Sequence, residues 1–266
     1  MFHPPIARRK LLMLAVAASL SPAALCAEGL LEEPVFADMD WQPIKAIPLE
    51  EQDLACRQCG GRFFDPLADA DLTQSPTEAD LEVYADDTEV TEGELLFQGN
   101  VSLKQGYRQV TADRVTADRA RETATATGNV IFREPGILIR GSRIDYDSQS
   151  EEAIVRDAHY VVHDRRMIGA ADELKRFGNG KIAIEDGRMT YCAPDDPDWV
   201  LHAETLEIDP VSGDAQAWGA KLKVADVPVL YLPWIRFPVD ERRKTGLLFP
   251  DIGSDTRGGV DITAPI

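Results

Sequence analysis

The chain has 266 residues, with 28 Lys and Arg against 46 Asp and Glu, giving a formal charge of −18, and 44% of its residues are hydrophobic. That charge argues against a nucleic-acid partner, because duplex binding depends on Lys and Arg neutralising phosphates, and against adhesion to an anionic membrane surface. The length allows one large domain or two small ones, and 17 Pro and 19 Gly beside 9 Phe and 6 Tyr point to many turns.

Residues 1–27 read as a secretory signal peptide. Arg8, Arg9 and Lys10 precede an apolar run from Leu11 to Leu20, followed by Ser21, Pro22 and the small residues around Ala27. The run is too short to span a bilayer. Cys26 follows Leu25 rather than a small residue, which favours cleavage near Ala27 over lipid attachment, and the mature chain is expected to be exported.

Residues 28–75 are acidic, are interrupted by Pro34, Pro43, Pro48 and Pro66, and show no sustained period, so they read as an extended, loosely ordered arm. The arm carries Cys56 and Cys59, and with Cys192 these leave three thiols in an oxidising compartment. Three is odd, so at least one thiol pairs outside this chain or stays free. A zinc site would need a second Cys pair, and redox chemistry of the thioredoxin kind would need a helix that Gly60, Gly61 and Pro66 discourage.

Residues 76–215 hold a repeat. Gly99-Asn100-Val101 returns as Gly128-Asn129-Val130, and Asp157 and Asp186 mark the same phase at further intervals of 29 residues. A second signature runs Val83-Tyr84-Ala85-Asp86, Val110-Thr111-Ala112-Asp113, Ile139-Arg140-Gly141-Ser142, Ile168-Gly169-Ala170 and Leu201-His202-Ala203-Glu204. Within a unit the period is two, as in half-buried strands. Parity switches at Ala112, Gly141 and Ala170, which predicts a bulge or corner there. Strand pairs of this kind bury no core alone, so neighbours must stack on one apolar interior.

On these repeats, residues 81–209 resemble the OstA-type family of lipopolysaccharide transport proteins, whose fold is a stacked, partly open β-jellyroll. The resemblance implies that acyl chains lie between two sheet walls. Interior residues expected to line that space are Val101, Leu103, Val110, Val130, Phe132, Ile139, Ile144, Tyr160, Val162, Ile168 and Ile184.

Residues 216–266 read differently. The run Val227-Pro228-Val229-Leu230-Tyr231-Leu232-Pro233 and the stretch Asp240-Glu241-Arg242-Arg243-Lys244-Thr245-Gly246-Leu247-Leu248 closely resemble the junction of the outer-membrane LptD family. There the jellyroll passes into the first strands of a transmembrane β-barrel. Val260, Ile262, Ala264 and Ile266 alternate with polar residues or Pro265, which suits the start of a barrel strand. A single strand closes no barrel, so the chain reads as an amino-terminal fragment with a truncated barrel. The resemblance also implies that Cys56 or Cys59, and Cys192, form disulfides with cysteines near the barrel's carboxyl end; a local Cys56–Cys59 bridge is the alternative. Implied partners are lipopolysaccharide, a periplasmic bridge of the LptA type, a plug lipoprotein of the LptE type and the outer membrane. Arg236, Arg242, Arg243 and Lys244 form a basic cluster that either meets lipid phosphates or is a solvated turn.

No cofactor is expected. His159 and His163 share strand parity but lie about 13 Å apart along a strand, too far for one ion, and with His202 they read as surface residues. Gly178-Asn179-Gly180 precedes strand-period Ile182 and Ile184 and reads as a hairpin turn, not a phosphate loop. No nucleophile elbow or P-loop occurs, so the expectation is a non-enzymatic conduit located at the outer membrane and mostly periplasmic. Rival readings are a soluble LptA-type bridge, disfavoured by the junction, and a β-solenoid polysaccharide enzyme, which would need clustered carboxylates on one face.

Overall fold

The computed structural model describes residues 39–239 except 54–55, 58–59, 74 and 195–196, together with the backbone of 251–255 and 259–263. The expected signal peptide, Cys59, Arg242, Arg243 and Lys244 lie outside the described residues.

Two short strands, β1 (Trp41–Pro43) and β2 (Gly61–Phe63), pair within the arm. One antiparallel sheet of twelve strands follows. It opens with β3 (Leu81–Tyr84) and β4 (Asp87–Val90), which pair with separate halves of β5 (Glu94–Gln105). Then come β6 (Arg108–Asp118), β7 (Thr123–Glu134), β8 (Ile137–Asp147), β9 (Glu152–Val162) and β10 (Met167–Arg176). The sheet ends with β11 (Ile182–Thr190), β12 (Trp199–Asp209), β13 (Asp214–Val224) and β14 (Val227–Pro238), each paired with the strand before it. A separate hairpin joins β15 (Asp251–Asp255) to β16 (Gly259–Thr263). The architecture is the expected all-β stack in which each 29-residue unit supplies two strands.

Each long strand bends near its middle, and the sequence shows why. Asn100, Asn129, Asp157 and Asp186 take left-handed φ values of 45° to 50°, a conformation that Asn and Asp tolerate best among residues with a Cβ. Ladder register slips beside Gly99-Asn100 and Gly128-Asn129, which is a bulge. Each corner is tied across the strand pair: the Asn100 amide donates to Asp86 at 2.8 Å, and the Asn129 amide to Asp113 at 2.9 Å. Ser142 Oγ donates to Asp157 at 2.5 Å, and His202 Nε2 meets Asp186 at 2.6 Å. The distorted backbone thus sits on the odd-numbered strands, while Ala112 and Gly141 are the small residues lining the bend. In β10 that place belongs to Ala171, one residue beyond the expected Ala170.

The interior is continuous. Buried Val101, Ala112, Val115, Ala126 and Val130 form one cluster, and Val155, Ala158, Tyr160, Ala171 and Ile184 a second. Ile144 packs on both, and Leu206 joins the second to a third built on Ala203, Ala217 and Ala220.

The arm departs from expectation. Its described residues dock on the outer face of the sheet, where Met39 and Phe63 pack with Leu138, Val161, Ile168 and Ala170. The Asp40 carboxylate accepts Arg133 Nη1 at 2.5 Å and Nη2 at 3.0 Å, and it meets His163 Nε2 at 3.1 Å. Asp65 accepts the Gly136 N–H at 2.7 Å. Acidic composition reads as disorder when these carboxylates are counted without their partners, which lie 71 to 123 residues away.

Candidate functional site

The two halves of each bent strand contribute facing apolar rows. Along one half the ladder aligns Leu103, Val110, Phe132, Ile139 and Tyr160 across β5 to β9. It continues through Gly169, Met189, Leu201, Leu222 and Leu230 to β14. Along the other half Phe97, Val115, Ala126, Ile144 and Val155 align, followed by Leu174, Ile184, Leu206, Ala217 and Ile235. A single apolar residue per strand and per half is what an unbroken greasy track requires.

Burial along the rows is mixed, since Val115, Val155, Ile184 and Ala217 are each 4% exposed. Val101, Val130 and Ala158 are each 1% exposed, whereas Leu103, Val110, Phe132, Ile139, Val162, Leu174, Ile182 and Leu206 are half-buried. The arrangement is a trough with a sealed floor and part-exposed walls. Tyr160 is the largest buried side chain on this face: its ring lies across Gly169, where a Cβ would stand 2.2 Å from Tyr160 Cζ. Burial, and secondarily Tyr191, pushes the Tyr160 hydroxyl well above its ordinary pKa, so it stays neutral.

Ten of the eleven expected interior residues lie on this face: Val101, Leu103, Val110, Val130, Phe132, Ile139, Ile144, Tyr160, Val162 and Ile184. Ile168 is the correction. It pairs with Val161 on the opposite face, fully buried beneath Met39. The repeat signature in β10 has its extra residue before Asp172, so counting back from that polar corner gives Gly169, not Ile168, the phase of Ile139. The same count reveals Leu174 and Leu206, which the sequence reading left out of the interior set.

The remaining expected residues lie apart from the trough. Cys56 is buried on the arm, and its N–H donates to Asp53 at 2.6 Å. Hydrogen bonds from Cys56, with Arg166 adding to them, lower the Asp53 pKa to about 2. Cys192 is half-exposed, its N–H on Thr190 Oγ1 at 3.1 Å, and both thiols are free. Arg236 pairs with Asp214 at 2.5 Å. The histidines are more enclosed than expected: His163 is 8% exposed and held by Asp40, His202 is held by Asp186, and burial, then Arg188 and Arg140, lowers the His159 pKa. Among the described residues no cluster of His, Cys, Asp and Glu suits a metal ion.

A profile of the family described as LptA/(LptD N-terminal domain) LPS transport protein matches residues 82–214, the span from β3 to the start of β13. The chain belongs to this family. The LptD-type family assignment agrees with its similarity to the LPS-assembly protein LptD of Saccharophagus degradans, 36% identical over 208 residues, 78% of this chain and 24% of the relative. The LPS-assembly protein LptD of Chromohalobacter salexigens is 33% identical over 258 residues, 96% of this chain and 29% of the relative. The chain therefore spans between 24% and 29% of the length of these two relatives. Among solved structures, LptH of Pseudomonas aeruginosa, the LptA homologous periplasmic component of the lipopolysaccharide transport device, aligns with a TM-score of 0.35 and 20% identity over 40% of this chain and 80% of that one. The family match covers the trough as far as β12; the docked arm, β14 and all but the first residue of β13 lie outside it.

Proposed function

We propose that the chain is the periplasmic, groove-bearing part of an outer-membrane lipopolysaccharide assembly protein, and that acyl chains travel along the trough. The observation that carries this reading is the pair of unbroken apolar rows with part-exposed walls. Lipid A is anionic and the protein carries −18, so head-group attraction is not the source of affinity. Acyl burial is, at about 0.8 kcal/mol per methylene removed from water. The role is transport without catalysis.

The free edge at β3 and β4 takes a strand of a periplasmic bridge protein of the LptA type, by backbone hydrogen bonding. Beyond β14 the chain leads into a transmembrane barrel holding an LptE-type plug, with β15 and β16 as its first hairpin, and Cys56 or Cys59, and Cys192, pair with cysteines of that barrel. Arg236 with Arg242, Arg243 and Lys244 faces lipid phosphates near the barrel mouth; lipid export unchanged after replacing Arg242, Arg243 and Lys244 by Gln would refute this.

Photo-crosslinking residues placed at Phe132, Ile139 and Leu206 should capture lipopolysaccharide, whereas one at Thr111, on the outer face, should not. Absence of a lipid adduct from all three inner positions would leave a closed core and defeat the proposal.

A further inference from the structure

The two edges of the twelve-stranded sheet differ in backbone chemistry. At the first edge, Leu81 to Val90 contains no proline, and among the described residues β3 and β4 each pair only with β5. At the last edge, β14 carries Pro228, Pro233 and Pro238, opposite Lys223, the Gly219 corner and Asp214. A bulge interrupts the same strand at Val229, where the register slips beside Leu222 and Lys223. Proline has no N–H, and within a sheet it is confined to bulges and to positions whose N–H would face outward. The outward edge of β14 therefore lacks donors in both halves of the strand, on either side of the bend as well as at it. Backbone pairing with a thirteenth strand would lose its bonds at those places.

A fold whose first and last edges both accepted strands would stack head to tail on copies of itself, a heterologous contact that grows open filaments. We infer that Pro228, Pro233 and Pro238 make strand docking one-sided: β3–β4 accepts a partner sheet, and β14 terminates the stack against a second copy of this chain. The prolines set which neighbour the sheet admits. Tyr231 and Trp234, exposed on β14, are left to side-chain contacts and do not template a strand. The inference rests on the proposed role of the first edge and adds a determinant that this role does not require.

The test uses the full chain with a photo-crosslinker at Tyr84 on β3 or at Tyr231 on β14. In the wild-type protein Tyr84 should capture the bridge protein and Tyr231 should capture no second copy. Replacing Pro228, Pro233 and Pro238 together by Thr should turn copy-to-copy adducts between β14 and β3 from absent to the main product and should raise the mass seen by light scattering as concentration rises. Copy-to-copy capture through Tyr231 in the wild type would overturn the inference without any variant having to fold. So would a triple variant that keeps the wild-type circular dichroism and stays unstacked. Failure of the transport reading shows elsewhere, as loss of lipid capture from Phe132 with the edge behaviour unchanged.

Discussion

Gly128 shows how a single residue sets a corner. Its φ is 75°, and a Cβ there would lie 2.4 Å from Asp113 Oδ2, the atom that accepts the Asn129 amide. Gly128→Ala should destabilise the fold by roughly 1–2 kcal/mol for the left-handed backbone alone, and more for the displaced Asp113. Adding Asp113→Gly should recover the steric part but not the backbone part, which denaturant melts of the single and double variants will separate. Asp40 acts at the same scale on the arm. Burial alone would raise its pKa, but the hydrogen bonds from His163 and Arg133 and their charges outweigh burial and lower it. A carboxylate depressed in the folded state stabilises above its ordinary pKa and loses that contribution as pH falls through the depressed value. Docking of the arm should therefore hold steady from neutral pH down to about 4 and weaken below it. Asp40→Asn should loosen the arm at neutral pH by roughly 1–3 kcal/mol and flatten the acid limb, measured by hydrogen exchange at the Trp41 and Gln42 amides.

At the scale of the element, the bend works because small residues line it. Ala112, Ala158 and Ala171 are 5%, 1% and 3% exposed, so the two halves of each strand close tightly over them. Ala158→Leu or Ala171→Leu should cost about 1–3 kcal/mol by overpacking and should reduce lipid capture from Ile139, because extra volume at the floor splays or fills the trough. Strand period, turn residues and the 29-residue interval were all legible in the sequence, since each is a local property of backbone and side-chain alternation. Ile168 was misplaced for a specific reason: β10 carries an extra residue before its corner, and a shift of one residue moves a side chain to the other face. The polar corner residue, not the apolar start of the strand, is the reliable phase mark.

For the whole molecule, the acidic charge and the apolar trough pull in opposite directions on an anionic lipid. Raising ionic strength from about 0.01 M to about 1 M shortens the Debye length from about 30 Å to about 3 Å. Screening weakens repulsion between protein and head group and strengthens apolar burial, so lipid capture at Phe132 should be unchanged or rise with salt. A fall would show that head-group attraction dominates and would count against acyl burial as the source of affinity.

The amino-acid sequence by itself determined the strands, their corners and the presence of one shared apolar interior, because alternation and left-handed Asn, Asp and Gly positions act over a few residues. Tertiary structure alone decided which face the arm covers. Asp40 finds Arg133 and His163 across 93 and 123 residues, and no local pattern encodes so distant a partnership. It also decided that Pro228, Pro233 and Pro238 lie along one outer edge, since a proline reports a missing donor but only strand order says which neighbour that donor would have met.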